Sequence, residues 1–153
     1  MELKGTQMIR KKKLNQKPAV SRTVLPAVNP VSKPLIPRWF LKDIKYRAKK
    51  HNISFDLTIE ELEALFLEQD KKCFYTGTPL YFGVREQKQA SRSGQKIGNT
   101  SLDRTFSNLP YTLNNVKFTT KIVNLSKHTS TPEEFIKNCQ KVVEYAKQSE
   151  CVK

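Results

Sequence analysis

No stretch of the chain reaches the run of about 18 apolar residues that a membrane-crossing helix needs, so no helical span is expected. The start methionine is not followed by the apolar core of a secretory signal. Cysteine is scarce, and Cys73, Cys139 and Cys151 make an odd number with no short spacing between any two. A disulfide framework is thereby excluded as the main staple. A reducing intracellular compartment is expected, with cytoplasm, nucleus and organelle matrix not distinguished. Internal repeats are absent too. Acidic residues are the last shortage, with 14 Asp and Glu against 28 Lys and Arg, for a net charge of +14. An excess of that size points to a polyanion or an acidic surface as partner.

The excess is spread over two parts of the chain. Residues 1–36 contain Glu2 as their only acid, four prolines (Pro18, Pro26, Pro30 and Pro34) and no aromatic residue. Such a segment buries too little apolar surface to offset its ordering entropy, and it reads as a flexible basic arm. Lys11, Lys12 and Lys13 would let it track phosphates. Its shortage of acids also leaves a targeting peptide open, although it is Lys-rich and broken by proline rather than Arg-rich and amphipathic. Residues 37–153 then form one domain of ordinary size.

What is present after Pro37 is periodic. Phe40, Ile44 and Ala48 recur four apart and predict a helix whose other faces are basic. "TIEELEALFLEQD" opens with Thr58 and Glu61 in capping-box spacing and carries Ile59, Leu62, Leu65 and Phe66 as an apolar stripe. "KKCFYTGTPLYFGV" predicts a hairpin or tight turn between two short strands around Gly77. Residues 85–98 read as an exposed loop, "NTSLDRTF" and "VKFTT" as strands, and "KIVNLSK" as the start of a helix. A closing helix follows, capped by Thr131, Pro132 and Glu134, with Phe135, Ile136, Cys139, Val142, Val143 and Ala146 as its expected core face. Cys139 is expected to pack there as a small hydrophobe.

The chemistry-bearing residues cluster in 99–128. Taken singly, Asp103 before Arg104 reads as an ordinary ion pair, Asn115 as a turn former and His128 as a helix-end residue. Together the spacing suggests more. Asn124 and His128 stand at i and i+4, one helical turn apart, facing a strand-borne Asp103. A carboxylate, an amide oxygen and an imidazole can hold a divalent ion with positions left for phosphate and water, which is the requirement of metal-assisted phosphodiester cleavage.

From Cys73 to about Val143 the chain resembles the HNH homing-type endonucleases of phages and mobile introns, which share a ββα-metal fold. The resemblance is carried by "CFYTGTPL", "SLDRTFSNLPYTLNNVKFTT", "VNLSKH" and "TPEEFIKNCQKV", in the family's order. It implies an α+β protein with an HNH-like ββα-metal core at about 73–128 and a closing helix at about 132–147. It also implies a Mg²⁺- or Mn²⁺-dependent endonuclease acting on DNA, and RNA as a further possible partner. Asp103, Asn124 and His128 match the family's metal ligands, with Asp103, Arg104, Asn115 and His128 as the catalytic set. Asn115 matches the residue that organises the catalytic loop. Arg104, Lys117, Lys121 and Lys127 would meet nucleic acid. Two departures stand out. Arg104 occupies the position where active relatives commonly carry a general-base histidine, and a guanidinium cannot accept that proton. A nuclease-derived binding module without chemistry is therefore the alternative. Cys73 has Thr76 at its partner position, and Thr120 and Val123 stand where a second cysteine pair would be, so no structural zinc is expected.

Overall fold

The computed structural model describes residues 34–84 and 97–149. Lys11, Lys12 and Lys13, and nearly all of the expected 85–98 loop, lie outside the described residues. Helices α1 (Arg38–Lys50) and α2 (Ile59–Glu68) precede strand β1 (Thr100–Arg104). A 3₁₀ turn (Leu113–Asn115), strand β2 (Val116–Thr120), and helices α3 (Lys121–Lys127) and α4 (Pro132–Gln148) follow. The protein is of mixed α+β class, with a two-stranded antiparallel sheet.

Local chemistry accounts for the elements. The four-residue spacing of Phe40, Ile44 and Ala48 puts all three on the buried face of α1, with its lysines outside. Helix α2 begins with a reciprocal capping box, in which Glu61 N–H donates to Thr58 Oγ1 at 3.2 Å and Thr58 N–H donates to Glu61 Oε2 at 2.9 Å. Around Gly77 a tight turn closes through Cys73 N–H to Thr78 O at 2.8 Å and Gly77 N–H to Cys73 O at 2.9 Å. Gly77 holds φ +66°, which a residue with a side chain rarely adopts. The flanking strands expected there do not form. Pairing there is limited to a single bridge, Lys72 to Pro79, flanked by the Cys73–Thr78 bond and by Leu80 N–H donating to Lys71 O at 2.7 Å.

In the sheet, Leu102 pairs with Phe118 and Asp103 with Lys117. Alternation then sends Leu102, Val116 and Phe118 inward and turns Ser101, Asp103 and Thr119 to the opposite face. Phe118 is fully buried, 6.3 Å from the ring of Phe40 and 5.0 Å from that of Phe66. The free edge of β2 is satisfied by a side chain rather than a third strand. Gln69 Oε1 accepts from Phe118 N–H at 2.8 Å, and Gln69 Nε2 donates to Phe118 O at 2.9 Å. Phe74 N–H also donates to Phe118 O at 3.0 Å, so an amide side chain and one backbone N–H together stand in for a third strand at this edge. Helix α3 lies on the sheet face opposite the core, so the order is strand, strand, helix.

Two expectations fail here. Ile36, read as part of the arm, is fully buried, and its N–H donates to Glu63 Oε1 at 3.1 Å. Ordered packing thus starts before residue 37. Helix α4 is capped as expected by Thr131, Pro132 and Glu134, yet buries no residue. Its Phe135 ring packs 5.4 Å from Tyr75 and Ala146 is half-buried, while Ile136, Cys139, Val142 and Val143 are exposed. The periodicity defines one apolar face, and what lies against it is the Tyr75–Thr76 turn, which shares with Phe135, Ile136, Cys139 and Val143 an open groove of about 430 Å³.

Candidate nucleic-acid interface

Asp103 sits near the end of β1 with 3% of its surface exposed. Lys127 Nζ lies 3.3 Å from its Oδ2 and 3.4 Å from its Oδ1, and donates to Arg104 O at 3.0 Å. Tyr75 donates its hydroxyl to the same Oδ2 at 3.4 Å. One turn earlier on α3, Asn124 Nδ2 donates to Ser101 Oγ at 2.9 Å. The match is geometric. Ser101 and Asp103 share a sheet face two residues apart, and Asn124 and Lys127 share a helix face three apart. Burial pushes the Asp103 carboxyl above its ordinary range, and the Lys127 ammonium, the Tyr75 hydroxyl and Arg104 pull it back only part of the way. The Tyr75 hydroxyl is raised in turn, first by burial and then by the Asp103 charge.

Lys127, expected to meet phosphate, is fully buried and spends its charge on Asp103. Arg104 leaves the sheet on the opposite face from Asp103. Its Nη1 donates to Leu109 O at 2.8 Å and its guanidinium lies 5.2 Å over the Tyr111 ring. That side chain holds the 105–111 loop. Asn115 pins the same loop from within, accepting from Phe106 N–H at 2.9 Å and donating to Phe106 O at 3.1 Å and Pro110 O at 2.9 Å. The Thr105 hydroxyl of this loop is buried and has no protein partner among the described residues. Lys117 lies 5.3 Å over the Phe74 ring.

His128 falls one residue past α3, with φ +51°. Its Nδ1 stands 3.2 Å from Thr129 Oγ1, and its carbonyl accepts from Ser107 Oγ at 3.3 Å. Asn124 and His128 nevertheless come together. With Lys121 they border an open groove of about 550 Å³ whose other wall is Trp39, Asp43 and Arg47 of α1. Asp103 does not line that groove.

The three donors expected to share one cation are therefore divided between a buried ionic centre and an open groove. A divalent ion such as Mg²⁺ wants near-octahedral oxygen ligands and retains waters. Asp103 offers one carboxylate whose two oxygens already face an ammonium, and among the described residues no three His, Cys, Asp or Glu converge on a point. As arranged, these side chains do not fit such an ion. Sequence reasoning missed Tyr75 and Lys127 as the partners of Asp103, and Trp39 and Arg47 as the wall facing Asn124. The three-residue step from Asn124 to Lys127 was the available signal for the first. Comparison with family models, with curated proteins and with solved structures found no match to this chain.

Proposed function

We propose that the chain binds nucleic acid, DNA foremost, through the groove between α1 and α3, on a ββα frame resembling that of HNH endonucleases. The observation that carries this reading is that Arg47, Lys121 and His128 line one groove with Trp39, against Asp43 as the acid on its wall. Basic side chains supply the salt-dependent attraction to phosphates, and an indole offers a face on which a base can stack whatever its identity. Exposed lysines along α1 extend the positive surface beyond the groove. Anisotropy of labelled duplex and single-stranded oligonucleotides, titrated across salt, tests it. Arg47→Ala and Lys121→Ala should each weaken binding and reduce the salt slope by about 1. Binding indifferent to both substitutions, or none at low salt, would overturn the assignment.

A second reading, the metal-dependent endonuclease, has one observation in its favour. Asp103 stands on β1 facing α3, the helix that carries Asn124, so a strand carboxylate and a helix amide occupy neighbouring positions of one strand–helix interface. Incubation of supercoiled plasmid with Mg²⁺ or Mn²⁺ separates the readings. Nicking that disappears in Asp103→Ala while oligonucleotide binding persists would establish a nuclease. Binding without nicking under either metal leaves the module without chemistry.

A further inference from the structure

We infer that the groove between α1 and α3 reads an unpaired base, favouring one with an amine beside a ring nitrogen, as in cytosine and adenine. This rests on the nucleic-acid reading of the groove and names what it selects. At the base of the groove lie Phe40, Thr100 and Ser101, all buried. Thr100 spends its hydroxyl proton on Tyr81 O at 2.8 Å. Ser101, 8% exposed, uses Oγ to accept from Asn124 Nδ2 at 2.9 Å. That bond engages only half of each side chain. A serine hydroxyl keeps its own proton to donate, and an asparagine keeps its carbonyl oxygen to accept with. Among the described residues nothing takes the Ser101 proton and nothing donates to Asn124 Oδ1.

One donor and one acceptor thus stand side by side at the bottom of a concave site. Base edges in a duplex are recessed in grooves of their own, so a paired base does not reach them, whereas a base turned out of the stack does. The walls suit such a base. Trp39 on α1 and Leu125 on α3, the latter 78% exposed, give apolar surface for its faces. Counting hydrogen-bonding groups then selects the base. The site offers the Ser101 proton against two acceptors, Asn124 Oδ1 and the carboxylate of Asp43 on the facing wall. Cytosine answers with two amine hydrogens and the N3 lone pair. Uracil, of the same size, presents one N–H between two carbonyl oxygens, the reverse count. Arg47 and Lys121 on the same groove remain for phosphate.

Anisotropy of short labelled oligo-dC and oligo-dU with the full chain, at neutral pH and low salt, tests the selection. Wild type should bind oligo-dC at least about fivefold more tightly. Annealing each strand to its complement should abolish the preference. Ser101→Ala and Asn124→Leu should each bring the ratio of the two affinities towards one, with folding checked by circular dichroism. Taking the ratio within each variant cancels any general loss of affinity. Arg47→Ala should instead weaken both strands together and keep the ratio. Equal affinities in wild type, a preference that persists in the duplexes, or a ratio that survives either Ser101→Ala or Asn124→Leu overturns the base reading and leaves the groove as a phosphate-binding surface. Absence of binding to either strand overturns both.

Discussion

Helices α3 and α4 invert the usual relation between pattern and burial. The longer one has two formed capping interactions, proline in its first turn and a clean apolar stripe, and it buries nothing. The shorter one has seven residues, leaves Ile122 and Leu125 78% exposed, and buries a lysine completely. Periodicity declares that a face is apolar, but it does not supply the surface that covers it. A charge, conversely, can be buried wherever an opposite charge already waits. The sheet face carrying Ser101 and Asp103 supplied that partner for α3. For α4 the described residues contain no equivalent.

On this contrast α3 is held chiefly by Lys127, with Val123 as its one partly buried apolar residue. Lys127→Met leaves the Asp103 carboxylate buried without a counter-charge and should cost about 3–5 kcal/mol in urea denaturation at neutral pH. Asp103→Leu combined with Lys127→Met removes both charges and should recover most of the loss. The pH dependence has a definite sign. Asp103 is already raised in the folded wild type, and the single variant raises it further. A group raised on folding stabilises fully below its unfolded value near about 4 and loses that contribution as pH climbs through the folded value. The variant should therefore regain stability on acidification, more steeply than wild type. A flat profile would mean that Asp103 is not buried as described.

A smaller effect is expected at Asn115. Its side chain makes three hydrogen bonds to the 105–110 loop, but Phe106 at one end is exposed and water can replace part of what is lost. Asn115→Ala should cost about 2 kcal/mol, with increased amide exchange confined to that loop. Global loosening instead would place Asn115 in the core's cooperative unit.

Much of the architecture was legible in the residues. Both capping boxes, the α1 face of Phe40, Ile44 and Ala48, the strand pair and the Gly77 turn all follow from interactions within a few positions. The failures share a cause, which is distance along the chain. Lys127 finds its partner 24 positions away, and Ile36 reaches Glu63 across 27. Read locally, one is a phosphate-meeting cation and the other the end of an arm. The candidate site was half legible for the same reason. Asn124 and His128 do share a groove, yet its facing wall comes from α1, which spacing within 99–128 cannot place. Nor could alternation be overridden: consecutive Asp103 and Arg104 leave a strand on opposite faces, so adjacency in sequence separated them in space.

The finest version of the comparison uses the same chemistry twice. Thr58 and Thr131 each cap a helix with an identical reciprocal motif, one opening α2 and the other α4. Replacing either by alanine should remove about 1 kcal/mol of local helix stability. What differs is where the loss registers. Helix α2 buries Leu62, Leu65 and Phe66 in the core, so it cannot fray without dragging the core along, and Thr58→Ala should lower the cooperative unfolding free energy by nearly that full amount. Helix α4 has no buried residue, so Thr131→Ala should reduce ellipticity at low temperature and leave the main transition in place. Equal shifts of the main transition by both substitutions would show that α4 is integral to the core after all, and the asymmetry between the two helices would vanish.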